Sequence, residues 1–420
     1  MPTSDSAISG QAADGDGADR GAPRAGRRVD PRIRVLRNAS AVLPARTVSA
    51  DVIVQSGRIQ ALCPAGTGTG DEVWDLAGRE VGPALIDTHT HGGWGVDFAT
   101  ASADEMLGVA ERYARAGVAR LLPTLYPGPE DWLLDRLSEL ARVCERSPAF
   151  VGIHLEGPFI APDRRGALPE AGILPFDSER FGRILAAASG WLRVMTFAPE
   201  AIPFDRYRAI QSRGVALSIG HTSCTAEVAR AAVAAGAHRA THLCNAMPVM
   251  HHRAPGPVAP LLLDPRVRVE VIVDGVHVAD PILQLVLAIK ASDRVLAVSD
   301  SMAFTGVGPT AGLFAGHAVT SDGERVIDAR GTLAGSVTAL LPALERTAST
   351  LGLSRSRMFQ LGATAPAVDL PHSHPGRVAT GAPADLVIFD RDGSLLATLR
   401  AGERADDETA RDWLPVPRLD

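Results

Sequence analysis

Short apolar runs recur through the middle of the chain, and most of them stop at a histidine or an acid. Eight read as strands: PALID (83–87), RLLPTL (120–125), FVGIHLE (150–156), LRVMTF (192–197), VALSIGH (215–221), RATHL (239–243), VRVEVIVD (267–274) and RVLAVSD (294–300). Stretches with helical spacing, at 103–116, 131–146, 178–189, 226–235 and 281–291, fall between several of them. Strands alternating with helices predict a parallel sheet. Eight such units predict an α/β fold of the closed (β/α)8 TIM-barrel type, whose strand ends all open on one face.

The chain ends have a different texture. IRVLRNA, SADVIVQSGRIQALC and EVWDLAG alternate over short lengths with glycine turns, and GAPADLVIFDRDGSLLATL (381–399) repeats that character far along the chain. Because termini often lie close together, residues 30–80 and 375–415 are expected to pair into a small β-sandwich domain beside a barrel of residues 81–374. Residues 1–29, rich in Gly, Ala, Asp, Ser and Arg, lack the apolar groups that would offset ordering entropy, so a disordered tail is expected.

Composition narrows the function. The 420 residues carry a formal net charge of −6 with 21% charged and 46% hydrophobic residues. That balance is ordinary for a globular enzyme and offers nothing to a nucleic-acid partner. Cys63, Cys144, Cys224 and Cys244 form no CxxC pair, which argues against a disulfide framework and for a reduced, cytoplasmic setting. No apolar run approaches membrane-spanning length. The N-terminus shows no signal-peptide pattern, and polar residues follow the twin Arg27-Arg28.

The candidate chemistry sits at the strand ends. His89 and His91 follow the first strand in an HxH pair, and alternation on an extended chain points both rings the same way. Such a pair suits two ligands on one metal. Glu156 ends the third strand, His221 the fifth, His242 the sixth and Asp300 the eighth. A lone histidine is more often a core or surface group, and Asp300 alone could cap the next segment. Six such side chains, each where a strand stops, point instead to a metal-dependent hydrolase with Asp300 as proton carrier. His154 shares the parity of Glu156 and is expected to be structural, inside the barrel.

DTHTHGG, HLEGPF, TFAPE, GHTS, THLCNAMP, DGVHV, VSDSM and GTLAGS occur in this order. Together they resemble the N-acetylglucosamine-6-phosphate deacetylases of the amidohydrolase superfamily, over roughly residues 50–395. HLEGP with THLxNAMP is specific to that family; HxH and PADLVIFD are shared more widely.

The resemblance implies metal-dependent deacetylation of N-acetylglucosamine 6-phosphate to glucosamine 6-phosphate and acetate. Glu156, His221 and His242 match the principal metal ligands, and His89 and His91 match members with a second metal position. It thus implies one or two divalent ions, zinc first, with iron, manganese or cobalt as alternatives. Asp300 matches the general acid/base and His277 a substrate-binding histidine that polarises the carbonyl. Asn245 and Ala246 match contacts to the substrate phosphate. Arg253 matches an arginine that reaches the phosphate held by a neighbouring subunit, which implies a homodimer. His251 and His252 are read as loop residues.

One departure stands out. Family members carry RRGAH or KKGAH after the HLEGP strand, whereas Leu168 here takes the place of a substrate-contacting histidine. Leucine cannot donate a hydrogen bond. Two alternatives therefore stay open: a deacetylase of another N-acetyl amino sugar, unphosphorylated or from secondary metabolism, and a non-catalytic sugar-sensing barrel.

Overall fold

The computed structural model describes residues 30–368 and 376–405. The expected tail at 1–29, and part of the expected C-terminal β segment, lie outside the described residues.

Eight parallel strands form one sheet in sequential order: β1 (Leu85–Thr90), β2 (Val118–Leu125), β3 (Ile153–Glu156), β4 (Leu192–Phe197), β5 (Ala216–Ile219), β6 (Arg239–Ala240), β7 (Arg268–Ile272) and β8 (Val295–Val298). A bridge between Thr90 and Ser301 brings the last strand back to the first. The Asp300 amide donates to the His89 carbonyl at 2.9 Å across the same seam. The expected barrel is thus formed. The first strand starts two residues later than the apolar run, because Glu80–Pro83 is taken by the terminal sheet, where Pro83 pairs with Leu386.

A helix follows each strand: α1 (Ala103–Arg115), α2 (Glu130–Arg146), α3 (Ser178–Ala187), α4 (Tyr207–Gln211), α5 (Ala226–Ala235), α6 (Val258–Leu263), α7 (Asp280–Ile289) and α8 (Leu340–Leu351). Their starts follow local chemistry. Ser102 and Glu105 close a capping box on α1, and the Asp177 and Thr225 side chains accept backbone N–H groups at the heads of α3 and α5; each satisfies donors that a helix start leaves open. Their apolar faces bury Leu133, Leu137, Ile184, Val233, Leu283 and Leu344 against the outside of the barrel.

One layer of the barrel interior is polar, above an apolar layer of Ile86, Leu122 and Val194. His154 Nε2 lies 2.8 Å from Thr196 Oγ1, Thr196 meets Thr241 at 2.7 Å, and Thr241 meets Ser218 at 2.6 Å. These buried groups satisfy one another. His154 takes the inner-barrel structural position expected of it.

The two chain ends build one mixed sheet. Arg34–Val42, Thr47–Gln55 and Arg58–Pro64 pair antiparallel, Glu72–Asp75 and Glu80–Pro83 run parallel to the first of them, and Leu386–Phe389 adds antiparallel on Glu80–Pro83. This sheet has its own core of Leu36, Val52, Ile59, Trp74, Leu386, Ile388 and Leu399. Arg120 of β2 donates to both oxygens of Asp385, at 2.7 and 3.0 Å, and ties that sheet to the barrel.

A three-stranded flap (Thr310–Phe314, His317–Ser321 and Val326–Asp328) follows β8. The strand reading of the sequence did not contain it.

Candidate active site

The barrel mouth gathers the six side chains at the strand ends into one buried cluster. Glu156 is its centre. Its Oε1 lies 3.1 Å from Nε2 of both His221 and His242, and its Oε2 lies 3.2 Å from His91 Nε2. His89 Nε2 stands 3.4 Å from Glu156 Oε1, and Asp300 Oδ1 stands 3.4 Å from Nε2 of both His89 and His91. The side chains thus fall into two adjoining sets, Glu156–His221–His242 and His89–His91–Asp300.

Backbone turns place these groups. His221, His242 and Asp300 all have positive φ, at 47°, 28° and 49°, a region that non-glycine residues occupy at a cost and that concentrates at functional sites. Glu200 pins the loop after His221 by accepting from Thr222 Oγ1 at 2.5 Å and from the Ser223 amide at 2.7 Å. Asp87 joins β1 to β8 by accepting from Ser299 Oγ at 2.5 Å, and burial pushes its carboxyl up to about 6.

The tautomers follow from the partners. His221 Nδ1 is 2.8 Å from the Arg164 carbonyl, which can only accept, so Nδ1 carries a proton and Nε2 is the atom turned to the cluster. Burial works against the charge of Glu156, yet His89, His221 and His242 hold its carboxyl well below the usual carboxylate range. Burial likewise disfavours the imidazolium forms of His89 and His91, but Asp300 and Glu156 raise both, His91 to about 9. Asp300 is held below its ordinary value, against burial, by His89 and His91.

The donor set fits a divalent ion. Tetrahedral zinc bonds of about 2.0–2.1 Å place ligand atoms about 3.3 Å apart; Glu156 Oε1 and the Nε2 atoms of His221 and His242 stand 3.0–3.1 Å apart. His89 Nε2 is buried without a hydrogen-bond partner, an orphan that a metal would satisfy.

His277 lies on the loop after β7. Its Nδ1 donates to Asp274 Oδ2 at 2.8 Å, and although burial opposes it, that contact raises the imidazole above its ordinary value. Asn245 is half-buried and donates from Nδ2 to the His242 carbonyl at 3.2 Å. Ala246 follows at φ 51°, and its carbonyl accepts from the Thr222 amide at 3.3 Å. Arg253 stands apart from these, exposed beside His252. His251 and His252 are exposed loop residues whose rings pack against each other.

Leu168 is 4% exposed and belongs to the main apolar core. The flap closes over the site: Phe314 packs its ring 5.9 Å from His91 and 5.1 Å from Tyr126. Beside Phe314 lies a cavity of about 290 Å³, walled by Arg165, His317, Val319, Asp328 and Arg330. Arg330 also donates to the Gly166 carbonyl at 3.0 Å, linking flap to loop.

Four residues that shape this site were not singled out from the sequence: Arg239, Glu270, Asp274 and Phe314. The acid within VRVEVIVD was a visible signal for Glu270, since an unpaired carboxylate does not persist in a buried strand. Phe314 carried none.

The Amidohydrolase family model matches residues 81–406. An N-acetylglucosamine-6-phosphate deacetylase of Bacillus subtilis (strain 168) is 31% identical, over 77% of this chain and 84% of that protein. An N-acetylgalactosamine-6-phosphate deacetylase of Escherichia coli O157:H7 is 32% identical, over 77% and 81%. A solved structure of a Mycobacterium smegmatis N-acetyl-D-glucosamine-6-phosphate deacetylase variant, in complex with N-acetyl-D-glucosamine-6-phosphate, superposes with a TM-score of 0.83. It is 32% identical and covers 89% of this chain and 100% of that one.

Proposed function

The chain belongs to the amidohydrolase family, among its amino-sugar 6-phosphate deacetylases, and from that premise we propose that it hydrolyses N-acetylglucosamine 6-phosphate to glucosamine 6-phosphate and acetate. The observation that carries this reading is Glu156 set between two histidine groups, with Asp300 beside them.

In this reading Glu156, His221 and His242 hold one divalent ion, and His89 and His91 with Asp300 offer a second position. Zinc is the first choice for a nitrogen and carboxylate set. When bound, such an ion lowers the pKa of water and polarises the amide carbonyl. Asp300, kept ionised by His89 and His91, takes the proton of the attacking water and passes it to the departing amine. His277, kept protonated by Asp274, donates from Nε2 to the developing oxyanion. Asn245 and the backbone at Ala246 meet the phosphate.

Arg253 is assigned to the substrate phosphate of a second copy, as its exposed position allows. Val249, Met250, Leu263, Ile282, Leu285 and Ile289 are exposed on the same loop and on α6 and α7, which pack together. An apolar face of this extent suits the interface of a homodimer. Among the described residues no helix is long and apolar enough to cross a membrane, and all four cysteines are free thiols, which supports a cytoplasmic setting.

A second reading is favoured by Leu168, a buried leucine where the family resemblance places a substrate-contacting histidine: deacetylation of a different N-acetyl amino sugar. The E. coli relative, named for N-acetylgalactosamine 6-phosphate, is one such precedent. Acetate release from N-acetyl hexosamines with and without the 6-phosphate, beside metal analysis, tests both. Fastest turnover on N-acetylglucosamine 6-phosphate is expected; release from none would leave only a sugar-binding barrel.

A further inference from the structure

We infer that Glu270, oriented by Arg239, is a positioning residue that fixes the tautomer of His89 and so decides whether the second divalent position can fill. The inference rests on the metal-dependent reading above and concerns residues whose side chains touch no side chain of the Glu156–His221–His242 set.

The geometry is a buried relay. Arg239, 1% exposed, donates to Glu270 Oε1 from Nε at 2.9 Å and from Nη2 at 2.6 Å, and from Nη2 to Thr88 Oγ1 at 2.8 Å. Glu270, with no exposed surface, turns its other oxygen upward, where it accepts from the His242 amide at 3.3 Å and meets His89 Nδ1 at 3.0 Å. Three donors besides His89, two from Arg239 and the His242 amide, converge on this carboxylate, so it is ionised and can only accept. His89 must therefore carry its proton on Nδ1. Nε2 is then the atom left to meet a metal, and it faces His91 and Asp300. His154, whose ring lies against His89, uses Nε2 on Thr196, so the nearby His89–His154–Glu270 group is part of the barrel interior, not a third ion site.

Arg239 gives the arrangement direction. In a Glu270→Gln chain, the guanidinium would hold the amide oxygen at the Oε1 position. The NH2 would then face His89 Nδ1, which would have to accept. The His89 proton would move to Nε2 and block it toward metal. A residue that merely filled space would produce no such reversal, because glutamine and glutamate have the same shape.

The test is zinc titration of the full-length protein, stripped with chelator, for wild type, Glu270→Gln and Arg239→Lys. Wild type should bind two ions. Glu270→Gln should keep the first within a few-fold and weaken the second by about 10–100-fold, the range found when such outer partners are lost. Arg239→Lys, which keeps a cation beside Oε1, should keep the second ion near its wild-type affinity. Nitrogen-15 histidine spectra of zinc-loaded wild type provide a readout independent of variant folding, and should show His89 protonated on Nδ1. Two undiminished ions in Glu270→Gln, a wild type that takes one ion, or His89 protonated on Nε2 would each overturn the inference while leaving single-ion deacetylation intact. A wild type that binds no ion yet releases acetate would overturn both readings.

Discussion

The Nε2 atoms of His221 and His242 stand 3.0 Å apart, each also 3.1 Å from Glu156 Oε1. Three potential ligand atoms this close suit a divalent cation among them. Stripping divalent ions should therefore abolish acetate release, and readdition of zinc should restore it. Ligand binding to the folded state stabilises it by about 4 kcal/mol at a thousandfold excess over Kd, so calorimetry should show Tm falling on stripping. Full activity with verified absence of metal would refute the assignment.

Asp300→Asn should retain the fold, since asparagine fills the same volume, and should keep the ion at Glu156. Loss of the proton carrier should lower kcat by about 10²–10⁴-fold. Single-turnover acetate release at saturating substrate measures this, and near-normal turnover would remove Asp300 from the mechanism.

The Asp274–His277 pair sets an alkaline limit. A histidine whose folded value is raised gives stability that is complete below its ordinary value of 6.5 and lost as pH rises through the raised one. In the proposed mechanism the same proton is donated to the oxyanion, so activity should fall on the alkaline side as His277 deprotonates. In Asp274→Asn that limb should move to lower pH, toward 6.5. A pH profile of kcat/KM that does not move would separate His277 from catalysis.

Arg253→Ala should leave the unfolding free energy within about 0.5 kcal/mol of wild type, as for other exposed substitutions. It should raise KM for the 6-phosphate and leave the unphosphorylated sugar unaffected, because the guanidinium fork is suited to phosphate. Steady-state kinetics on the two substrates decide it; equal effects on both would free Arg253 from phosphate binding.

Asp385→Ala should destabilise by about 3–5 kcal/mol, because it strands the buried guanidinium of Arg120 at the junction of barrel and terminal sheet. Urea unfolding measures the change. A loss under 1 kcal/mol would show that the junction is held by its apolar contacts instead.

The barrel was legible because each strand is a compact apolar run and because His89, Glu156, His221, His242 and Asp300 punctuate those runs at one end. Alternation at 34–64 and 386–400 likewise announced a sheet from both termini. What was hidden depends on contacts between distant segments. Glu270 looks like any acid in a strand until Arg239 of β6 and His89 of β1 are brought to it. The flap at 310–328 is mostly exposed on one face and reads as loop, with A-G and D-G turns its only hint. Leu168 shows the reverse: its residue type predicted a lost polar contact, and its packing into the apolar core gives that leucine a structural reason to be there.

The left-handed backbone at His221, His242 and Asp300 also bears on anyone seeking a hardier form of this protein. A common stabilising recipe hunts for non-glycine residues at positive φ and relaxes them with glycine. Here Ala77, Ala315 and Ala401, at φ 50–52°, are turns where that recipe is free to operate. Applied without discrimination, it would also select His221, His242 and Asp300, and yield a tougher barrel with its mouth disarmed.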